Sequence, residues 1–303
     1  MDNDTNNATD VFVHDRQTGE TTLVQLAADG GQANDEAAFS GVDISSNGGV
    51  LFYSSEASNL VSQDENGFSR DVFAYDAASS ATSLVSISGP GPLAGNDSSR
   101  EPSISADGRF VAFESWATNI IEGTSSQRRR IFLRDVATGQ VELVSVASDG
   151  TEANDANSNP FVSADGRYVA FESVATNLVL GDTNGRQDIF VRDRQAGTTV
   201  RVSISSSGSE GDGHSGRPAM SADGRYVVFE SVATNLVPGD TNGERDIFVH
   251  DLQTGETRMV SVASDGTQSN DWSASPSISA DGRYVVFHSD ATNLAPGDTC
   301  FDS

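Results

Sequence analysis

The apolar residues of this chain fall in short runs that are separated by turn-forming residues. In the best-defined stretch the runs are 160–163, 167–173, 188–193 and 199–205, and they are rich in β-branched and aromatic residues. Each run is too short for an amphipathic helix and has the composition of a strand. We name the four predicted strands A, B, C and D in chain order. The pattern predicts an all-β fold.

This four-strand unit is repeated along the chain. A turn of sequence Ala-Asp-Gly-Arg lies between A and B, and its aspartates are spaced by 58 residues, at Asp107, Asp165, Asp223 and Asp281. A degraded copy lies at 46–49, and short Gly-containing turns such as 253–255 join C to D. Such connections are typical of antiparallel hairpins. Four-stranded antiparallel meanders in five copies predict a five-bladed β-propeller.

The two ends of the chain each carry half of a unit. Predicted C and D strands lie at 10–15 and 22–27, and predicted A and B strands lie at 276–279 and 283–289. We expect these halves to form the last blade and to close the ring, which would hide the sheet edges. An open solenoid fragment is the alternative. The predicted blades span about 42–87, 102–146, 160–205, 218–263, and 276–289 with 10–27, in a single domain of residues 1–303.

The charge of the chain excludes several functions. The formal net charge is −26, and all 18 basic residues are arginines. So acidic a chain would repel nucleic acids and anionic membranes, and it has no lysine for Schiff-base chemistry. Cys300 is the one cysteine, so no disulfide forms within the chain. No run of 18 apolar residues is present. We expect a monomer that enters no membrane, in a secreted or periplasmic location, with the leader absent from this chain.

Two segments resemble the repeats of the TolB-like (PD40-type) propeller family. They are the C strand 188–193 and the segment 276–287, which reads Pro-x-x-Ser-x-Asp-Gly-Arg followed by an apolar strand. The resemblance implies a propeller that serves as a scaffold in envelope proteins, polysaccharide-cleaving enzymes and peptidase gating domains. The five units here are longer than the usual repeat, and no separate TolB amino-terminal domain precedes them. A role in envelope transport is therefore not carried over.

The connections between B and C (B–C loops) and between D and the next A (D–A loops) are long, and in a meander they share one face. Carboxylates and amides recur in the B–C loops, at Asp182, Asn184 and Asp188, at Asp240, Asn242 and Asp246, and at Asp4, Asn6 and Asp10. Six to eight such oxygens suit Ca²⁺, and the pattern is similar to a shortened version of the calcium loops of integrin-type propellers. The alternative interpretation is an Asn-Gly turn capped by aspartates. Arginines replace the last acidic position in the second full copy, which is expected to bind no metal.

The D–A loops contain a second recurring feature, an Asn-Asp pair. Its aspartates are the candidate ligand-binding residues Asp35, Asp97, Asp155 and Asp271. In the remaining copy Asp212-Gly213 takes the place of the pair. The residue that follows differs in every copy and is Glu36, Ser98, Ala156, His214 or Trp272. We predict that Trp272 stacks on a sugar ring while His214, Glu36 and the aspartates bind its hydroxyl groups. Ordinary drift of loop sequence is the alternative.

Catalytic motifs are scarce. Two of the four histidines, His14 and His250, are expected at the surface, whereas His288 replaces a glutamate that stands at Glu114, Glu172 and Glu230 in other copies. No nucleophile elbow, His-Glu-x-x-His helix or phosphate loop is present. The sequence therefore favours a non-catalytic propeller without an organic cofactor, stabilised by calcium, that binds a glycan or a protein on its acidic loop face. The alternative is a polysaccharide- or ester-cleaving enzyme that uses His214 or His288, or a metal, at the channel mouth.

We expect three further sets of residues to have structural roles. The aspartates of the Ala-Asp-Gly-Arg turns are interpreted as turn residues. Their neighbouring arginines are expected to pair with carboxylates, and they are Arg109, Arg167, Arg225 and Arg283. The aromatic residues of the B strands are expected in the core between blades, and they are Phe113, Phe171, Phe229 and Phe287.

Overall fold

The computed structural model describes residues 8–37, 41–89, 93–124 and 128–297. The chain groups into two compact units, residues 1–144 and residues 145–303. The predictions for Asp4 and Asn6 lie outside the described residues. The prediction of a single domain stays a prediction.

The described residues of the first unit form ten strands in three antiparallel sheets. The two-stranded sheet pairs β1 (Phe12–His14) with β2 (Thr21–Leu23). The next sheet has the order β3 (Asp43–Ile44), β4 (Val50–Ser55), β5 (Asp71–Asp76), β6 (Ala81–Leu84). The third sheet has the order β7 (Ser99–Ile104), β8 (Phe110–Ser115), β9 (Arg130–Asp135), β10 (Val141–Leu143).

In the second unit, residues 145–297 also form ten strands in three antiparallel sheets. One sheet has the order β11 (Asn157–Val162), β12 (Tyr168–Ser173), β13 (Asp188–Asp193), β14 (Thr198–Arg201). The next has the order β15 (Ser215–Met220), β16 (Tyr226–Ser231), β17 (Asp246–Asp251), β18 (Glu256–Met259). The last pairs β19 (Ser273–Ile278) with β20 (Val285–Ser289).

The all-β fold is confirmed. The described residues form four sheets of four strands and two sheets of two strands, each a simple meander, which is consistent with a β-propeller. They contain no helix long and apolar enough to span a membrane. The count of five blades and the closure of the ring are not confirmed and stay predictions.

The predicted strand boundaries are most accurate in strand C, where 188–193 matches β13. Strand A begins earlier than predicted, at Asn157, because β11 contains a bulge between Ser158 and Phe161. The bulge residue Asn159 has φ 49°, a left-handed conformation that the sequence does not signal before a proline. Strand D ends early, at Arg201.

The core lies between successive sheets. In the second unit, Ala170 and Val191 of one sheet pack with Phe229 and Val227 of the next. Within a sheet, Phe229 stacks on Phe248 with ring centroids 5.9 Å apart. Three of the four predicted core phenylalanines are fully buried, Phe113, Phe171 and Phe229. Burying each such ring stabilises the fold by about 1.5–3 kcal/mol. The fourth, Phe287, is partly buried against a smaller cluster.

Each Ala-Asp-Gly-Arg turn is held by its own side chains. Asp165 Oδ1 accepts hydrogen bonds from Ser163 Oγ (2.7 Å) and from the backbone nitrogen of Arg167 (2.9 Å). The Arg167 guanidinium then pairs with Asp193 at 2.7 Å. The same pairs recur as Arg109–Asp135 and Arg225–Asp251. The interpretation of these aspartates as turn residues and the pairing of these three arginines are therefore confirmed, while Arg283 lies over the ring of Tyr284.

The same turns join successive sheets of the second unit. The backbone nitrogen of Ala164 donates to Ala222 O (3.0 Å), and that of Ala222 donates to Ala280 O (2.9 Å). Gly224, at φ 72°, lies so close to Tyr168 of the preceding sheet that a Cβ atom there would overlap the ring. Both the backbone conformation and the close approach require glycine at this position.

Candidate functional site

Hydrogen bonds join the D–A loop and the B–C loop at one end of each sheet, which we call the loop end. The backbone nitrogen of Asn154 donates to Asn177 Oδ1 (2.8 Å), and Asn154 Oδ1 accepts from the backbone nitrogen of Thr176 (2.9 Å). Equivalent bonds are made in the other copies by Asn34, Asn96, Asp212 and Asn270. The first residue of each pair is therefore a structural link between two loops.

The aspartates of the Asn-Asp pairs shape the same loops. In each, Oδ1 accepts a hydrogen bond of 2.7 or 2.8 Å from the backbone nitrogen of the next residue, at Asp35, Asp97, Asp155 and Asp271. This contact fixes the direction in which the following side chain leaves the loop. The role of these aspartates as ligand groups stays a prediction.

Trp272 lines a pocket of about 350 Å³ at the loop end of the second unit. The other lining residues are Val232, Gly243, Glu244 and Arg245. The backbone nitrogen of Ser273 donates to Arg245 O at 2.7 Å, which holds the tryptophan loop against the B–C loop of the preceding sheet. The side chain of Trp272 is 38% exposed, so an aromatic face, a guanidinium group and a carboxylate meet in one open pocket. This combination suits a ligand with both apolar and polar faces.

The other candidates in the D–A loops lie in different surroundings. His214 precedes β15, and its Nδ1 accepts a hydrogen bond from the backbone nitrogen of Gln187 (3.0 Å). Glu36 accepts hydrogen bonds through its backbone oxygen, from Ser55 Oγ (3.0 Å) and from the nitrogen of Glu56 (3.1 Å). The pocket of Trp272 is lined by neither of them.

The B–C loop at Asp182 already holds a positive charge. Arg201 Nη1 lies 3.2 Å from Asp182, 3.3 Å from Asp188 and 3.1 Å from Glu210. Burial raises the pKa of Asp182 and of Asp188, and the arginine opposes that shift. The guanidinium thus occupies the place that the sequence analysis assigned to calcium, and the side chains around Asp182 do not fit a second cation.

Asn184 makes the contacts expected for the alternative to a calcium site, which is an Asn-Gly turn. Its Oδ1 accepts a hydrogen bond from the backbone nitrogen of Arg186 (2.8 Å), while Nδ2 donates to Asp188 Oδ2 and to Gly211 O. Gly185 between them has φ 62°. These contacts are those of an Asn-Gly turn closed by its own side chain.

The loop at Asp240 repeats the two aspartates and the asparagine of the loop at Asp182, but two of the side chains at neighbouring positions differ. Met259 stands where the previous copy has Arg201, and Gln268 stands where it has Glu210. Gln268 Nε2 donates to Asp240 Oδ1 (2.8 Å) and to Asp246 Oδ2 (2.9 Å). Asp240 Oδ2 is buried and has no hydrogen-bond partner among the described residues. Burial raises the pKa of Asp240.

Of the B–C loops at Asp64, Asp182 and Asp240, the loop at Asp64 has the most buried side-chain oxygens without a hydrogen-bond partner among the described residues. Asp71 accepts hydrogen bonds from Ser86 Oγ (2.5 Å) and Asn66 Nδ2 (2.7 Å). Asp64 Oδ1 and Asn66 Oδ1 are buried and have no partner in the described parts of the chain. Burial raises the pKa of Asp71 to about 7 and that of Asp64 to about 6.

In the two remaining copies, the position of the buried aspartates Asp71, Asp188 and Asp246 is occupied by Arg130 and by Asp10. Arg130, which is buried, stands in the third sheet of the first unit where the other copies have a buried aspartate. Asp10 stands at that position before β1. Within residues 8–37, 41–89, 93–124 and 128–297, no group of three or more His, Cys, Asp or Glu side chains is arranged to hold a metal ion.

The histidines are divided between surface and interior. His14 is exposed and lies 2.8 Å from Thr21 Oγ1. The surface interpretation of His250 is wrong, because this side chain is buried, 4% exposed, with Nδ1 2.8 Å from Thr257 Oγ1, and burial lowers its pKa. His288 is exposed in β20, where it pairs with Ala274.

Sequence reasoning missed two residues at the loop end, Arg201 and Trp116. Arg201 stands where other copies have Leu84, Leu143 or Met259. Trp116 stands where they have Glu56, Val174, Val232 or Asp290. Comparison of the copies at these two positions was the signal that would have found both.

The chain is similar in structure to several solved structures. TolB from Acinetobacter baumannii matches with a TM-score of 0.50 and 16% identity, over 93% of this chain and 57% of that one. A putative TolB from Agrobacterium tumefaciens matches with a TM-score of 0.50 and 15% identity, over 89% of this chain and 79% of that one. An oligogalacturonate lyase in complex with manganese matches with a TM-score of 0.53 and 16% identity, over 90% of this chain and 62% of that one.

At these identities the similarity concerns the fold alone. The chain spans little more than half the length of the Acinetobacter TolB. No protein-family model matches the sequence, and no curated protein matches it.

Proposed function

We propose that this chain, which has the fold of the TolB-like β-propellers, is a non-catalytic binding module. Its ligand is a glycan or a protein that contacts the loop ends of the sheets. We further propose that it acts as a monomer in a secreted or periplasmic location. The fold by itself does not select this function, because its structural neighbours include both TolB and a lyase.

The pocket of Trp272 carries the proposal. Its aromatic ring is partly exposed beside Arg245 and Glu244, in an open pocket built from two adjacent loops. A ring of this kind contributes a large, rigid contact area, and the two charged groups provide directional hydrogen bonds. The enzymatic alternative would need His214 or His288 to act beside a metal. Those residues lie before β15 and in β20 respectively, in different sheets.

The test is binding of a panel of soluble glycans and surface proteins to the intact chain, measured by calorimetry. We expect Trp272→Ala to abolish binding. Tyr284→Ala is the matched control, because Tyr284 is also an exposed aromatic residue but stands beside the Asp-Gly-Arg turn, away from the loop end. Equal binding by both variants would overturn the proposal. Turnover of a bound glycan that is lost in His214→Ala or His288→Ala would favour the enzyme.

We propose that calcium stabilises the module through the loops at Asp240 and Asp64. The supporting observation is that buried carboxylate oxygens at both loops have no hydrogen-bond partner in the described residues, whereas Asp182 is matched by Arg201. Hard cations prefer such oxygens. Calcium would supply positive charge to carboxylates that burial has made costly to ionise.

Thermal unfolding of the chelator-stripped chain with and without millimolar Ca²⁺, with Mg²⁺ as the control ion, tests this part. A ligand present at 100 times its Kd raises the unfolding free energy by about 2.7 kcal/mol. We expect Asp240→Asn to reduce a Ca²⁺-selective rise in Tm and Asp182→Asn to leave it unchanged. An absence of any Ca²⁺-selective rise in the unmodified chain would refute the calcium proposal without affecting the Trp272 pocket.

A further inference from the structure

We infer that a second pocket at the loop end, centred on Trp116, binds a sugar that carries a carboxylate group. The inference rests on the proposed binding function and names its ligand class. The pocket lies in the first unit and has a volume of about 330 Å³. Its lining residues are Glu56, Arg70, Asp97, Ser98, Arg100 and Trp116.

Two guanidinium groups flank the tryptophan. The Cζ atoms of Arg100 and Arg129 lie 4.8 and 5.3 Å from the centroid of the Trp116 ring. Both arginines form ion pairs with Glu114, whose side chain is buried. Glu114 Oε1 lies 2.5 Å from Arg100 Nε and 3.3 Å from Arg129 Nη1. A buried carboxylate that positions two cations around an aromatic ring makes the arrangement rigid before any ligand arrives.

The arginines that line the pocket retain donors for a ligand. Arg100 pairs with Glu114 through Nε, and within the described parts of the chain no hydrogen bond engages its two terminal nitrogens. Arg70 pairs with Glu56 through Nη2 at 2.6 Å. The Nε atom of Arg70 is buried and has no hydrogen-bond partner among the described residues.

The pairing of an arginine with a tryptophan occurs in one copy of the repeat. The position of Arg100 is occupied by Ser158, Gly216 or Ala274 in the later copies. The position of Trp116 is occupied by valine in the next two copies, at Val174 and Val232. Random drift changes positions independently, whereas here two residues that contact each other are both large where the later copies have smaller side chains. A site built once on a repeated scaffold is what a single ligand requires.

The chemistry of the pocket selects an acidic sugar. Trp116 is half-buried, and the exposed part of an indole ring packs on the C–H groups of a pyranose ring, while a guanidinium group binds a carboxylate through two parallel hydrogen bonds. The chain as a whole carries a charge of −26, which opposes an anionic ligand at long range. At physiological ionic strength that repulsion is screened beyond about 8 Å. Arg70, Arg100 and Arg129 act within that distance.

The experiment compares a trisaccharide of uronic acid with the same trisaccharide after methyl esterification of its carboxyl groups. Both are titrated into the full chain by calorimetry at low salt. We expect the acid to bind at least tenfold more tightly than the ester, and we expect added salt to weaken the acid alone. Equal affinity for the two ligands, or no effect of salt on the acid, would overturn the inference.

Single-residue variants test whether the uronate binds in the pocket of Trp116. Arg100→Gln is expected to remove the preference for the acid, and Trp116→Ala to remove binding of both sugars. Arg70→Gln serves as a second charge variant if Arg100→Gln unfolds, and Tyr284→Ala, which removes an exposed aromatic residue away from the loop end, is the control that leaves uronate binding unchanged. Glycan or protein binding that depends on Trp272, without uronate binding, would refute this inference and leave the proposed function standing. Uronate binding that survives in Trp116→Ala, or that an acidic peptide of equal charge reproduces with equal affinity, would also refute it.

Discussion

The carboxylate of Glu172 accepts a hydrogen bond from the backbone nitrogen of Arg217, which lies 2.6 Å from Oε1 in the following sheet. Arg217 is the bulge residue of β15, at φ 50° directly before Pro218. Glu230 makes the same contact with Ser275, at 2.8 Å. A glutamate at this position therefore stabilises a strained backbone conformation in the next sheet, which explains why the B strands repeat it.

Replacement of Glu172 by glutamine is expected to lower the free energy of unfolding by about 1–3 kcal/mol. Glu172 also accepts hydrogen bonds from Ser158, Asn159 and Gln187, and an amide cannot accept all of these because its nitrogen is a donor. Urea unfolding measures the change. Glu244→Gln, at an exposed position, is the control and is expected to shift the midpoint little. Equal midpoints for the two variants would show that the contact contributes nothing.

Arg201→Met is expected to destabilise the second unit by about 3–5 kcal/mol, because it leaves buried carboxylates without their cation. Arg258→Met is the matched control, since Arg258 is the exposed partner of Glu256 and solvent screens such a pair, so this variant is expected to lose little stability. The double variant Arg201→Met with Glu210→Gln reproduces the side chains of the next copy, Met259 and Gln268. It is expected to recover part of the loss in urea unfolding. A double variant no more stable than Arg201→Met would refute this account of the loop.

The loop at Asp71 predicts a pH dependence of stability in the absence of calcium. The pKa of Asp71 is raised to about 7 in the folded chain, against about 3.9 for an unfolded aspartate. Between these values the folded state binds more protons than the unfolded state, so the unfolding free energy falls as pH rises from about 4 to about 7. The slope contributed by one group is at most about 1.4 kcal/mol per pH unit.

Chemical unfolding at several pH values between 4 and 8, with chelator present, checks this prediction. Asp71→Asn is expected to flatten the profile, whereas Glu65→Gln in the same loop, at an exposed position, is expected to leave it unchanged. The pKa of Asp135, lowered to about 2 by Arg109, acts in the opposite sense and below this range. A profile with the same slope in Asp71→Asn would contradict the assignment.

Gly224→Ala tests the contact between a turn and the preceding sheet. Gly197 has a similar φ of 68° but open space where a Cβ atom would lie. Gly197→Ala should therefore lose only the backbone contribution, about 1–2 kcal/mol. Gly224→Ala should lose about 1–3 kcal/mol more, because the new methyl group overlaps the ring of Tyr168. Equal thermal shifts in the two variants would mean that the ring moves aside without cost.

The strands were predictable where side-chain pattern alone defines them. Strand C at 188–193 is bounded by aspartates and filled with apolar residues, and its limits are correct. The bulge at Asn159 was not predictable, because a left-handed asparagine before a proline is stabilised by tertiary contacts, including its own bond to Glu172. The sequence showed that carboxylates and amides recur in the B–C loops, and their role in binding calcium stays a prediction. That the cation at Asp182 is Arg201 depends on a residue 19 positions away, which only the folded sheet brings to the loop.

The fit of Gly224 against Tyr168 has a consequence for how such a chain can change by recombination. The glycine belongs to one copy of the repeat and the ring to the copy before it, and the same relation holds between Gly282 and Tyr226. Duplication or deletion of a whole 58-residue segment that carries both a tyrosine and a glycine of this kind keeps such a glycine opposite a ring, wherever in the period the breakpoint falls. Transfer of a lone sheet from a chain without a tyrosine at this position would separate the two partners. Gain and loss of complete copies is therefore the easier route by which this architecture changes in length.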